Sequence, residues 1–410
     1  MTGAAFGSGF SIFEQGAKAT GMAGAFAATA DDPSAIFYNP AGIAQQRQLS
    51  ISAGATFINF TNQFTGDPND PFTSGTKGEY ERHTFIPPNA YAVIPFGSNL
   101  SFGLGVFSGF GLRTDWQDPW VGRFSSRDAD LKTLSVNPVI AWQTSDGRFA
   151  FGAGYEYRRA KVALNQNLAL PFPNPFTGRI TDIGNARLSS DWDSSSGWNA
   201  GILFKPSERF RIGASYRAPM DIDLKGKADF TQISTGSAQL DAVVGQTFPH
   251  DQGISTTIPF PAIMAVGVAT TMNSWDIEFD VTHMTWSRFS ELPINFETQP
   301  DVVRVQDWKD VSAYRLGLNK HASANWDVRL GAVYDENPQP TERVSPLLPD
   351  SDRVGATFGA GLHTGPFIID GSLMVLHFLD RSTEGRNAEN FNGEYKTDAL
   401  LWGVNVGYRF

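Results

Sequence analysis

The 410 residues contain no cysteine. Disulfides and thiolate metal sites are therefore excluded, which suits a bacterial envelope protein without demanding one. No window of ~18 apolar residues exists, so no helix can cross a membrane; the longest apolar stretch, Ile258 to Ala269, is interrupted by Pro259 and Pro261. A secretory leader is missing at the start, where Met1 is followed by Thr2 and Gly3 with no basic region. The expectation is a mature chain with an added Met1. Basic charge is in deficit: the formal net charge of −10 argues against a nucleic-acid partner. No nucleophile elbow, P-loop or zincin motif occurs, and His83, His250, His283, His321, His363 and His377 show no metal-ligand spacing. No metal, no cofactor and no enzymatic activity are expected. A Ser/His/Asp site assembled from distant strands of a barrel hydrolase is the enzyme alternative.

What the chain has is glycine (41 residues), aromatic side chains (13%) and alternation. Trp275, Ile277, Phe279 and Val281 share one parity, and Asp276, Glu278 and Asp280 the other. Strand side chains point alternately to opposite faces, so one face is apolar and the other carries three carboxylates. The split recurs in 149–158, 210–217, 326–334 and 400–410. A soluble antiparallel sheet alternates too, with its apolar face in a core. Three features favour a membrane barrel instead. The segments run long for strands. Trp116, Trp120, Trp275, Trp286, Trp308 and Trp326 sit near strand ends, as in the aromatic girdles of such barrels. The chain also ends inside a strand on Phe410, which would be an unprotected edge unless it pairs with the first strand. Lipid explains the parity, since a basic residue facing lipid at midplane costs roughly 2–4 kcal/mol.

Turn-bounded segments give about fourteen strands, near 48–60, 84–96, 99–113, 131–144, 148–165, 188–205, 209–229, 255–271, 274–297, 308–320, 325–336, 353–364, 366–380 and 393–410. Short connections such as Gly97–Ser98 alternate with long polar ones near 61–82, 114–130, 166–187, 230–254, 337–352 and 381–392. The fold expected is all-β: a 14-stranded antiparallel transmembrane β-barrel (residues 48–410) plugged by a small N-terminal helical hatch (residues 1–47). The plug reading rests on Gln15 to Thr29, built of small residues that suit short helices, and on Asp31-Asp32-Pro33-Ser34, a helix-start signal. Phe6, Phe10, Ile12, Phe13 and Phe26 are apolar plug residues able to line an interior pocket or simply to pack. A plug argues against a porin for polar solutes, and a soluble binding protein would fold without detergent.

Asp31 to Gly42, DDPSAIFYNPAG, resembles the hatch signature of the FadL family of long-chain fatty acid outer-membrane transporters, with Asn39, Pro40 and Ala41 at its heart. Further likenesses follow in order: Phe110 to Thr114 with Trp116, Gly197 to Lys205, Arg211 to Lys225, Val281 to Leu292, and Leu348 to Arg353 (LPDSDR). The resemblance implies the bacterial outer membrane and uptake of a hydrophobic molecule, long-chain fatty acids first. The alternatives are neutral aliphatic or monoaromatic hydrocarbons. It implies an apolar pocket reaching Phe107 and Phe110, a hatch rearrangement, and a lateral exit at a kink in the third strand. The kink falls here on Ser108, Gly109 and Gly111, where the family's usual proline is absent and glycine supplies the bend. A carboxylate head needs a cation or amide donor; the candidates are Lys309, Arg159 and Lys161, although Val162-Ala163-Leu164 stands where another basic residue is common. Asp350, Asp352 and Arg353 are expected to form structural ion pairs that hold the plug. The expected partners are a fatty acid or other hydrophobic small molecule, outer-membrane lipid and lipopolysaccharide, and the barrel-assembly machinery through Phe410, with the protein a monomer.

Overall fold

The computed structural model describes residues 8–170 and 180–410. Fourteen antiparallel strands close a barrel. They are β1 (Ser50–Gly66), β2 (Pro88–Phe96, with short pieces Lys77–Glu79 and Thr84–Phe85), β3 (Leu100–Phe107, resuming at Gly111–Asp115), β4 (Asp128–Gln143) and β5 (Phe149–Ala169). Next come β6 (Asp182–Ser190 and Asp193–Ser207), β7 (Phe210–Arg217 and Met220–Gln232), β8 (Gln252–Phe260 and Ile263–Met272), β9 (Trp275–Met284 and Glu291–Phe296) and β10 (Val302–Val305 and Val311–His321). The wall ends with β11 (Trp326–Asp335), β12 (Arg353–Thr364), β13 (Phe367–Phe378) and β14 (Gly393–Arg409). β14 pairs with β1 from Ser50↔Arg409 to Gly66↔Gly393. The last strand therefore has no free edge, as its alternation required.

The parity points the way lipid demands. On β9, Asp276, Glu278 and Asp280 are buried, and Trp275 and Phe279 are 37% and 44% exposed. On β8, Met264, Val266 and Val268 face out and Ala265 and Ala269 face in. A water-soluble sheet would bury the opposite set. The aromatic girdle differs from the expected one. Trp275 and Trp326 face outward, and so do Trp142, Phe96, Phe149, Phe210 and Phe367, each beside a short turn. Trp116, Trp120, Trp286 and Trp308 are buried instead, because they lie beyond the strand bodies where the chain folds inward over the lumen.

The short turns and both barrel termini share one rim, and the long connections share the other. The connection between β7 and β8 was expected to be polar loop; it carries a helix, Ala238–Thr247, capped by the Ser237 hydroxyl on the Leu240 amide. Residues 8–44 lie inside the barrel. Only Ala17–Gly21 (α1), Ala35–Tyr38 (α2) and a 3₁₀ turn, Pro40–Gln45, are helical there. The small-residue run Gln15 to Thr29 is thus mostly turn rather than helix, because Gly16, Ala23 and Gly24 take positive φ and break any longer helix. Pro33 precedes the second helix by two residues, and the Asp32 carboxylate instead accepts the Ser34 amide at 2.8 Å.

Candidate functional site

The lower half of the lumen is charged, and those charges hold the hatch by its backbone. The Asp280 carboxylate accepts the Phe26 and Ala27 amides, both at 2.8 Å, and Glu278 accepts those of Ala28 (2.6 Å) and Thr29 (3.0 Å). Arg315 donates to the Ala23 carbonyl at 3.0 Å, Arg217 to that of Phe37 at 3.0 Å, and Thr357 to that of Gly21 at 2.9 Å. A non-helical segment in a lumen has unpaired amides and carbonyls, and each must be satisfied by the wall. Asn39 caps the 3₁₀ turn by accepting the Ala41 amide (3.1 Å) and donates to Ala27 (2.7 Å) and Ile202 (3.0 Å) carbonyls. Gly201 makes room for it: a Cβ there would stand 2.1 Å from Asn39 Oδ1. Beneath the cavity Arg158 and Arg217 share the buried Glu156, with Ser135 donating to it at 2.6 Å.

The wall is broken at β3. Below the break Phe107 is the last residue of β3 paired to β2; from Gly111 the strand pairs to β4, and contact with the β2 side resumes at Trp116 opposite Tyr80. The hatch fills the vacant hydrogen-bonding edge. Ile12 donates to the Gly109 carbonyl and Gly111 donates to that of Phe10, each at 2.9 Å, bracketing Ser11 opposite Phe110. The Gln15 side-chain amide donates to the Ser108 carbonyl at 2.6 Å. Just upstream, Ser8 donates to Asp335 (2.7 Å) and Gly9 to Asp350 (3.0 Å). Asp350 and Asp335 flank Arg353 at 3.6 and 3.3 Å. Burial pushes the Asp350 carboxyl up to about 6, against the pull of Arg353. Asp352 stands apart from this group, bonded to Asn337 and Tyr334.

Above the break lies an apolar cavity with about 830 Å³ of atom-free space, part of it open. Its floor is Phe10, ringed by Trp286, Phe289 and Trp308 with centroids 4.6, 5.6 and 5.7 Å away. Leu131, Leu164, Leu224, Ile258 and Leu292 supply much of its wall. Among the described residues no ionisable side chain lines it.

Of the residues singled out from sequence, Phe10 lines this cavity, and Phe110 lies against Phe10 at 6.2 Å. Ile12, Phe13, Phe26 and Phe107 are buried in hatch packing outside its lining. Phe6 falls outside the described residues. Ser108, Gly109 and Gly111 lie at the break. Arg159 and Lys161 face outward, stacked over Trp192 at 5.5 and 5.2 Å, and Lys309 is exposed. Arg159 and Lys161 thus share one ring, Lys309 is not brought to them, and none of the three lines the cavity. The lining leucines were missed, although a signal existed. In β7 the alternation changes phase at Ala218-Pro219, after which Met220, Ile222 and Leu224 face in and Asp221, Asp223 and Lys225 face out.

The family profile described as "Outer membrane protein transport protein (OMPP1/FadL/TodX)" matches residues 1–410. The "Long-chain fatty acid transport protein" of Escherichia coli O6:H1 (strain CFT073) is 28% identical, over 99% of this chain and 95% of that one. The "47 kDa outer membrane protein" of Pasteurella multocida (strain Pm70) is 27% identical over 100% and 96%. Among solved structures, a Pseudomonas aeruginosa FadL homologue superposes with a TM-score of 0.87 at 21% identity, over 98% of this chain and 100% of its own. The Ralstonia pickettii toluene transporter TbuX gives 0.72 at 18%, over 96% and 98%. At such identities the solved structures speak for the fold alone.

Proposed function

The chain belongs to the OMPP1/FadL/TodX family of outer membrane transport proteins, and from that membership we propose that it takes up hydrophobic small molecules, long-chain fatty acids first, through the apolar cavity and out through the wall at β3. Its place is the bacterial outer membrane. One observation carries the route: Phe10 is at once the floor of the cavity and part of the segment that closes the break in β3. A chain burying methylenes against Phe10 gains ~0.8 kcal/mol for each, ample to displace the few hydrogen bonds holding Phe10 to Ile12 in place. Release then runs sideways into the outer membrane rather than through the hatch. A lining that is neutral among the described residues supports a second reading, a hydrocarbon substrate. In this proposal lipid and lipopolysaccharide surround a monomeric barrel, and the exposed Phe410 is the handle for barrel assembly.

The test uses the absence of native cysteine. Ser11 and Phe110 form a non-hydrogen-bonded antiparallel pair, whose Cα atoms stand about 4.5 Å apart in such geometry, close enough for a disulfide. Cells carrying Ser11→Cys with Phe110→Cys are expected to stop taking up labelled oleate when oxidised and to resume on reduction. Uptake unchanged by a quantitatively formed bond sinks the lateral route.

A further inference from the structure

Among the described residues no ionisable side chain lines the cavity, so among them an anionic head has to be held outside it. The cavity shares Gln306, Ser345 and Leu347 with a groove in the loop face that also presents Arg304. Arg304 pairs across the short β9–β10 ribbon with Leu292, a cavity residue. Cross-strand partners share a face, so Arg304 lies on the cavity side of that ribbon. Its guanidinium donates to the Ser125 carbonyl at 3.3 Å and to the Gln166 amide oxygen. Both partners are neutral, and among the described residues no carboxylate lies within ion-pair distance of it. The other charges in the groove are mostly spoken for. Arg343 is paired with Asp307 at 2.7 Å and Glu342 with Arg386 at 3.3 Å. Glu389, the groove's other carboxylate, accepts the Ser125 hydroxyl at 3.2 Å and acts on Arg304 through space, outside ion-pair distance.

Next to Arg304, Gln306 is 8% exposed, lines the cavity, and has no partner for its side-chain amide among the described residues. Asp307 takes φ +50, a conformation that an aspartate tolerates better than most residues. Its carboxylate turns out to Arg343, and Gln306 and Trp308 turn in. Among the described residues, a cation hydrogen-bonded only to neutral groups and a side-chain amide with no hydrogen-bond partner therefore stand together at the mouth of an apolar cavity.

We propose that Arg304 and Gln306 form the head-group site for a single-chain carboxylate whose tail fills the cavity. The inference rests on the uptake reading above and adds the residues that select the acid. Arg304 supplies the charge and Gln306 a neutral donor; neither Lys309, Arg159 nor Lys161 is required.

The probes are laurate and dodecan-1-ol, titrated by tryptophan fluorescence into the full barrel in detergent at pH 8. Arg304→Gln is expected to weaken laurate about 10-fold or more, in line with loss of a charged hydrogen bond, and to leave dodecanol within 2-fold. Arg304→Lys is expected to restore part of the laurate affinity, and Glu389→Gln to tighten laurate. An equal loss for both probes makes Arg304 a prop for the loop and overturns the proposal. So does no loss for either, while the uptake reading stands. Failure of the native barrel to bind either probe removes both readings.

Discussion

The two halves of this barrel wall are built by opposite rules. Toward the short-turn rim the outer face is apolar and the lumen is charged; toward the loop rim the lumen is apolar and the outer face is charged. β4 shows the exchange within one unbroken strand. Its lower half turns Leu134, Ile140 and Trp142 outward and buries Ser135 and Asn137, whereas its upper half buries Ala129 and Leu131 and turns Asp128, Asp130 and Lys132 outward. The cause is solvent. Below the exchange the outer face meets hydrocarbon, where a charge is costly, and the lumen holds a polar-backbone plug that needs carboxylates and guanidiniums. Above it the outer face meets water and the lumen is free to be a dry binding cavity.

The largest effect should come from the lower lumen. Glu156→Leu leaves Arg158 and Arg217 buried beside each other without their shared anion. The expected loss is about 3–5 kcal/mol of folding free energy, measured by urea titration in lipid vesicles. If Glu156→Leu is neutral, the lower lumen is more hydrated than this packing allows, and the contrast between halves collapses. The outer face gives the next effect. Val266→Arg, on β8 facing lipid, is expected to cost roughly 2–4 kcal/mol. Asp223→Arg, outward on upper β7, should stay within about 0.5 kcal/mol, as for an ordinary surface change. Equal costs at the two positions would place both in the same medium.

This contrast also explains what could be read from sequence. The lower half was legible because lipid enforces one rule along every strand: period-2 apolar residues with acids between, as in Trp275 to Val281. The strand number and the closure came with it, and the hatch signature 31–42 came from the family resemblance. The upper half was not legible by that rule. There, apolar residues at lumen parity such as Leu131 and Leu224 continue the same strands, and at Ala218-Pro219 and Pro261-Ala262 the phase shifts by one residue. A fixed parity carried through those breaks assigns the inward leucines to the wrong face. The inward tryptophans were hidden for a related reason. Proximity to a strand end does not say whether the chain then turns toward lipid or over the lumen. The cations were chosen by type and place in the chain, and Arg159 faces out because Arg158 beside it faces in.

Asp350 joins the two halves, since it accepts the Gly9 amide under the cavity floor. Its carboxyl is held up at about 6 by burial, so the native state favours its neutral form over the charged one. For a group raised in this way the stabilising contribution is complete below the ordinary carboxylate range and is lost as pH rises through about 6. Amide exchange at residues 8–12 should therefore speed up between pH 5 and pH 8 by more than the intrinsic rate allows. Asp350→Asn, which fixes the neutral form, should flatten that excess. An excess that persists unchanged in the variant would assign the pH response to another group.

The smallest effect expected is at Lys309, and it tests the contrast from the side of charge. Its neighbour Trp308 is 4% exposed and lines the cavity, while Lys309 is exposed on the loop face. Alternate residues of one segment thus serve the two media, and the cation is on the wet side. Lys309→Ala should leave laurate affinity within about 2-fold, the scale of an unpaired surface charge screened by salt. Trp308→Ala, one residue away, removes a wall of the cavity and should weaken laurate and dodecanol together, since an aromatic lining contributes through its area and not through the head group. If Lys309→Ala instead costs laurate 10-fold and spares dodecanol, the head group is read at Lys309 and the loop segment turns over when ligand binds.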